Sequence, residues 1–273
     1  MTARLTIEEI KNHQKSSAKK ISMLTCYDYP MAALMDQAGV DMLLVGDSLA
    51  NVVLGLDSTI EVGMTEMLHH AGAVVRGSKH ALVVGDMPYC AYQPHPQAAV
   101  DNAKQFIEVG CQAVKVEWFD DCVRVCKRII DAGIPVMGHV GLTPQTASAM
   151  KVQGKDVVSA HKIIDEAIKF QEAGCFAIVL ECIPTELSKI ITAKLSIPTI
   201  GIGAGKYCDG QVLVSYDVLG LMTRYQPKFS KKYIDLSPLM IEAFKNYKQD
   251  VESGNFPDDE HSFHMPEEEL KQL

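Results

Sequence analysis

Seven short apolar runs, each followed by a longer stretch of helical periodicity or turn residues, set the narrowest limit on how this chain folds. They are ISMLTCYD (21–28), DMLLVGDS (41–48), ALVVGDMP (81–88), AVKVE (113–117), PVMGHV (135–140), FAIVLE (176–181) and PTIGIG (198–203). Each is apolar with little alternation, the pattern of a strand buried on both faces of a parallel sheet. Residues 96–109, 122–132, 159–173 and 185–194 carry helical periodicity, and Gly110, Gly133 and Gly174 close three of these segments. QVLVSYD (211–217) is the best candidate for an eighth strand. Strand, helix, Ala-Gly and strand again is the rhythm of β/α units, and eight of them predict a (β/α)8 barrel. A doubly wound open sheet is the rival. It usually carries a glycine-rich turn after its first strand, where this chain has Tyr27-Asp28-Tyr29-Pro30.

A barrel of about 250 residues is commonly one domain, so the 273 residues are expected to form a single α/β domain over 1–273. Its end reads as a helix, Pro238–Ser253, and a polar tail over about 254–273. A net charge of -8 repels phosphate backbones, which argues against nucleic acid as a partner. No apolar run approaches the eighteen or so residues of a membrane span, and Met1–Ile10 lacks the apolar stretch of a signal peptide. A cytoplasmic address and no membrane partner are expected. The eight cysteines are scattered without a CxxC pair, so reduced and mostly buried thiols are expected.

Catalytic groups of a β/α barrel project from the C-terminal ends of its strands, and these ends are polar here. Strand two ends in Asp47 and Ser48, strand three in Asp86, strand four in Lys115 and Glu117, strand five in His139, and strand six in Glu181. Each has a bland reading. An Asp after a strand often caps a helix, Lys115 and Glu117 share a strand face and pair with each other, and Glu181 caps a helix beginning near Pro184. Six ionisable groups aimed at one barrel end are harder to dismiss, because unpaired burial costs several kcal/mol each. Asp47 and Asp86 suit Mg²⁺, which takes one or two protein carboxylates and completes its shell with water and substrate oxygens. Such an ion, chelated by a 2-oxo acid, acidifies the carbon beside the ketone. Lys115 then supplies positive charge for the substrate carboxylate or enolate oxygen, and Glu181 remains as the base.

Taken in order, several segments closely resemble the ketopantoate hydroxymethyltransferase family. They include MLTCYDYP (23–30), LLVGDSL (43–49), VVGDMPY (83–89), VKVE (114–117), GHVGLTPQ (138–145), KVQGK (151–155), VLECIP (179–184), IPTIGIGAG (197–205) and EHSFH (260–264). The resemblance implies a barrel of the phosphoenolpyruvate/isocitrate lyase type and transfer of a one-carbon unit from 5,10-methylenetetrahydrofolate to 3-methyl-2-oxobutanoate. It further implies Mg²⁺ at Asp47 and Asp86 with Glu117 beside it, directly or through water. Ser48 and Lys115 would hold the 2-oxo acid, with Asp47, Asp86 and a supporting His139 around it, and Glu181 would accept the proton. A homodecamer is the assembly it implies. This chain departs from the pattern twice. Trp118-Phe119 stands where the family often has a glycine pair, and Ala147–Met150 is shorter than the usual segment before KVQG.

Other signals are weaker. Gly201, Gly203 and Gly205 read as a tight turn in preference to a phosphate grip. His69 and His70 lie in an amphipathic helix, MTEMLHHAGAVVRG, and are expected in surface or packing roles. A magnesium-dependent lyase or mutase of the isocitrate lyase type is the nearest functional rival, and its KKCGH-like loop is absent. A non-enzymatic 2-oxo acid sensor is the other.

Overall fold

Eight parallel strands close into a barrel in sequence order, β1 (Ile21–Thr25), β2 (Met42–Val45), β3 (Leu82–Asp86), β4 (Ala113–Glu117), β5 (Val136–Gly141), β6 (Ala177–Glu181), β7 (Thr199–Ile202) and β8 (Gly210–Leu213), with β8 returning to β1. The computed structural model describes residues 4–13, 19–147, 149–221 and 227–273. Each of the seven apolar runs supplies one strand. The eighth run is only half a strand, since its last residues turn into a helix (Ser215–Leu219).

Helices α1 (Ile7–Lys11), α2 (Tyr29–Gln37), α3 (Leu49–Val52), α4 (Met64–Gly77), α5 (Ala99–Glu108), α6 (Cys122–Asp131), α7 (Val157–Glu172) and α8 (Thr185–Lys194) belong to the same unit, Met1–Ser215 with Gln226–Ser230. A second unit, Tyr216–Tyr225 with Lys231–Leu273, contains most of α9 (Ser215–Leu219), then α10 (Leu236–Ser253) and α11 (Glu267–Leu270). Leu239, Met240, Ile241, Phe244 and Tyr247 of α10 are exposed. Among the described residues no helix is long and apolar enough to cross a membrane. All eight cysteines are free thiols and seven are buried.

Alternation along the strands builds the interior. Successive residues point to opposite faces, so Leu82 and Val84 share a side with Asp86, Ala113 with Lys115 and Glu117, Met137 with His139, and Ala177 and Val179 with Glu181. The apolar members of these sets form one buried cluster with Met23, Met42, Leu44, Ile200 and Val212. Ile10 of α1 joins that cluster and Leu5 and Ile7 pack against it. Leu5 is tied by its N–H to the His80 carbonyl (2.7 Å) at the entrance to β3. The floor of the barrel is therefore apolar and its C-terminal end carries the charge.

Gly141 ends β5 with φ +97°, a conformation that costs an L-residue about 1–2 kcal/mol. A Cβ there would also collide with the Glu181 carbonyl oxygen. Gly141→Ala is expected to lose at least about 2 kcal/mol of stability, read from the urea midpoint at unchanged m-value.

Candidate active site

Register assembles the charged layer. β3 and β4 pair with Asp86 opposite Lys115, β4 and β5 with Glu117 opposite His139, and β5 and β6 with Gly141 opposite Glu181. Lys115 Nζ donates to Asp86 Oδ1 at 2.7 Å and lies 3.7 Å from Glu117 Oε1. His139 sits between two carboxylates, with Nδ1 3.4 Å from Glu117 Oε1 and Nε2 3.2 Å from Glu181 Oε2. Neither contact is aligned as a hydrogen bond. Asp47 lies beyond β2 in the turn that starts α3, and its N–H donates to Asp86 Oδ2 (3.2 Å). Ser48 Oγ shares a 2.9 Å hydrogen bond with the buried Tyr27 hydroxyl. The six ionisable groups picked from the strand ends thus meet at one barrel end, and Ser48 borders them.

The first turn of α8 has no side-chain cap, so Glu181 is not spent on capping it. Asp47 accepts from the Gln145 amide (2.9 Å). Lys115 and Glu117 do adjoin, but the closer partner of Lys115 is Asp86. His70 takes the packing role expected of it, with Nδ1 2.6 Å from the Tyr27 carbonyl.

The layer is almost closed to solvent. Asp47, Asp86, Lys115, Glu117 and His139 are 1–5% exposed, whereas the Glu181 side chain keeps 17%. Burial pushes the Asp47 carboxyl well above the usual range, and the neighbouring Asp86 adds to this. Burial also raises Asp86, against the pull of Lys115. Burial works against the Glu117 carboxylate too, but Lys115 and His139 outweigh it and hold the group low. Burial and the Lys115 charge press His139 toward neutrality, while Glu117 and Glu181 overcome both and lift it to about 9.

Two residues that strand-end reasoning did not single out complete the layer. Gln145, from the loop after β5, is buried and donates through Nε2 to Asp47 Oδ2 (2.9 Å) and the Met87 carbonyl (3.0 Å). Its backbone N–H donates to Glu117 Oε2 (3.2 Å). Its Oε1 accepts from the Tyr92 hydroxyl (2.6 Å) and Gln93 Nε2 (3.0 Å). Tyr92 in turn accepts from the Glu117 N–H (3.1 Å). The Met87 carbonyl can only accept, so the Gln145 amide has one sensible orientation, with its NH₂ toward Asp47. Gln145 does lie in the GLTPQ segment, but nothing in its spacing signals a link to Asp47.

The backbone that carries Glu181 is pinned on both sides. The Glu181 carbonyl accepts from Leu142 N–H (2.9 Å), and Cys182 bonds Ile202 (2.9 Å) and Gln153 (2.8 Å) through its own N–H and carbonyl. Among the described residues Cys182 is the one non-glycine at positive φ (48°), a local strain that these bonds sustain.

Among the described residues no group of three or more His, Cys, Asp and Glu side chains forms a ready-made metal shell. What exists is a buried pair, Asp47 and Asp86, that burial and mutual repulsion make reluctant to ionise together. Four carboxylates (Asp47, Asp86, Glu117, Glu181) face two cationic groups (Lys115, His139). A divalent cation with oxygen preference relieves that imbalance, and two carboxylates with open positions match Mg²⁺ better than a closed zinc shell.

Comparison with known proteins shows the family and agrees with the fold. Residues 4–259 match the family model described as ketopantoate hydroxymethyltransferase. The 3-methyl-2-oxobutanoate hydroxymethyltransferase of Syntrophomonas wolfei is 53% identical over 275 residues, covering 99% of each chain. That of Carboxydothermus hydrogenoformans is 51% identical over 274 residues, again covering 99% of each. Among solved structures, phosphonopyruvate hydrolase superposes with a TM-score of 0.64 at 9% identity, over 99% of this chain and 94% of that one. The 2,3-dimethylmalate lyase, a PEP mutase/isocitrate lyase superfamily member, gives 0.60 at 14% identity, over 100% and 95%. At such low identity these structures speak for the barrel alone. The chain belongs to the ketopantoate hydroxymethyltransferase family of enzymes.

Proposed function

We propose that the chain transfers a hydroxymethyl group from 5,10-methylenetetrahydrofolate to 3-methyl-2-oxobutanoate, giving 2-dehydropantoate for pantothenate and coenzyme A synthesis. The observation that carries this reading is Glu181, the most solvent-accessible carboxylate of the layer, standing beside a buried and highly charged cluster. Asp47 and Asp86 would hold Mg²⁺, with Glu117 as a direct or water-bridged neighbour. Bound there, the ion would supply Lewis-acid polarisation of the ketone.

Glu181 takes the proton from C3 of the 2-oxo acid, and the electron pair moves toward the ketone oxygen. Lys115 places its ammonium in a dry environment where it stabilises that developing charge, and Ser48 and His139 border the acid. Water first replaces the two folate nitrogens on the one-carbon unit, leaving it as a carbonyl-level carbon, and C3 then bonds to that carbon, whose oxygen becomes the hydroxyl. N5 and N10 each gain a proton as tetrahydrofolate leaves, in balance with the C3 proton and the one water proton released.

The test runs in two stages. With Mg²⁺ and the 2-oxo acid in deuterated water, the enzyme should exchange the C3 proton without folate; adding 5,10-methylenetetrahydrofolate should yield 2-dehydropantoate. A protein that binds the acid but never exchanges is a sensor, and one that cleaves isocitrate-type substrates is a lyase.

The metal assignment makes its own demand on Gln145. Partners that orient a ligand typically govern metal affinity by 10- to 100-fold, so Gln145→Leu is expected to weaken Mg²⁺ binding by about that much. Calorimetric titration without substrate measures it. Unchanged affinity would show that Gln145 does not orient a ligand of the ion. The homodecamer and cytoplasmic address implied by the family are part of the proposal; the exposed apolar side chains of α10 are of the kind an assembly covers. Sedimentation velocity tests the oligomer.

A further inference from the structure

An opening lined by none of the charged-layer residues lies at the same end of the barrel. It is a cavity of about 490 Å³ bounded by the segment after β4 (Trp118, Phe119), the end of β5 (Gly141, Thr143) and the first turns of α7 (Lys162, Glu166). That volume is in the usual range for a small-molecule site. Gly141 is the register partner of Glu181, so the cavity adjoins the strand ends where the proton is moved.

Glu166 is the unexplained group in it. Its residue is 6% exposed, yet among the described residues no hydrogen bond reaches its carboxylate, and the nearest cation, Lys162 Nζ, stands 3.8 Å away. The Glu166 oxygens are not sealed in protein but line the cavity, so a bound molecule with N–H groups could supply the donors the protein does not. Burial lifts this carboxyl to about 7, against Lys162 and Lys169, which agrees with a missing donor. The aromatic wall is fixed in place. Trp118 packs edge-on against Phe170 (5.4 Å between centroids) and Phe119 against Tyr92 (5.4 Å). A planar ligand with an apolar face and a donor edge suits such a wall.

We propose that this cavity receives the pteridine ring of the one-carbon donor, with Trp118 and Phe119 against the ring and the Glu166 carboxylate accepting from its amino and amide N–H edge. The inference rests on the folate reading above and extends it to a location. A reduced folate carries its one-carbon unit between the pteridine and the aminobenzoyl group. With the ring seated beside β5, that carbon would have to reach Glu181 across Gly141, its register partner. The Trp118-Phe119 pair, one of the two places where the sequence departs from the family pattern, becomes a wall of the site.

Tetrahydrofolate binding by calorimetry and the KM for 5,10-methylenetetrahydrofolate test this, using the full chain with Mg²⁺ present. Glu166→Gln keeps the shape but replaces one of two acceptor oxygens by a donor NH₂ and removes the charge, and it should weaken tetrahydrofolate binding by about 10- to 100-fold. The same loss should appear in the folate KM, while the KM for 3-methyl-2-oxobutanoate stays within twofold of wild type. Trp118→Leu should also weaken the folate, and Glu166→Asp should restore part of the affinity lost in the Gln variant. Folded Glu166→Gln and Trp118→Leu proteins with tetrahydrofolate affinity within twofold of wild type would overturn the location alone. A wild-type enzyme that exchanges the C3 proton but binds no tetrahydrofolate would overturn the folate reading itself, and the location with it.

Discussion

Glu181→Gln is expected to lower kcat by about 10²- to 10⁴-fold, the usual contribution of a positioned general base, and to abolish C3 proton exchange in the absence of folate. Gln keeps the shape of the side chain but has no lone pair basic enough to take a proton from carbon. The surroundings already commit Glu181 to one orientation. His139, lifted to about 9 by its two carboxylate neighbours, carries positive charge at neutral pH, and its Nε2 lies 3.2 Å from Glu181 Oε2. The strained Cys182 and the bonds around it hold the backbone. Binding of the 2-oxo acid should survive the substitution, since Lys115 and the Asp pair are untouched. Exchange retained at the wild-type rate would show that another group is the base.

The second large effect concerns Lys115. Removing one partner from a buried ion pair leaves uncompensated charge and typically costs about 3–5 kcal/mol, and Lys115 serves Asp86 and Glu117 at once. Lys115→Met is therefore expected to lose about that much stability in urea denaturation. Two dependences identify the cause. Mg²⁺ should raise the midpoint of the variant more than that of the wild type, because a cation bound to the native state replaces the missing charge. Lowering the pH should also recover stability. Asp86 and Asp47 are already raised by burial and rise further without Lys115, so the native state binds more protons than the unfolded one. A loss below about 1 kcal/mol, insensitive to both, would mean that Lys115 does not balance these carboxylates. In the wild type His139 works in the opposite pH window. Its folded value of about 9 exceeds its ordinary 6.5, so its contribution is complete below about pH 6.5 and disappears as pH rises through about 9.

Much of the site is legible in the sequence. Alternation in LVVGD, AVKVE and AIVLE places Asp86, Lys115, Glu117 and Glu181 on the same face as Leu82, Ala113 and Ala177. A parallel barrel turns that face inward. Asp47 was legible for a weaker reason, since it lies past the end of β2 and owes its position to the turn before α3. The eighth strand was half legible: SYDVL, after the four residues of β8, is apolar enough for a strand but folds as α9. Tyr92 and Gln145 were not legible as a pair. They meet at 2.6 Å across 53 residues, and Gln145 reaches Asp47 across 98. Glu166 looked like any acidic residue on an amphipathic helix, and only the packing of α7 against the β4 and β5 ends buries it.

Sequence alone determined the class of fold and the side of it that carries chemistry, because both follow from local periods: continuous apolar strands, helical spacing between them, and polar residues at the strand ends. Tertiary structure decided which charges pair, which lose water and where a cavity remains, because these depend on strand register and on loops that meet only when the barrel closes. Glu181 shows the division. Its position at the end of β6 was written in VLE, but its access to solvent, its histidine partner and its strained neighbour exist only in the closed barrel.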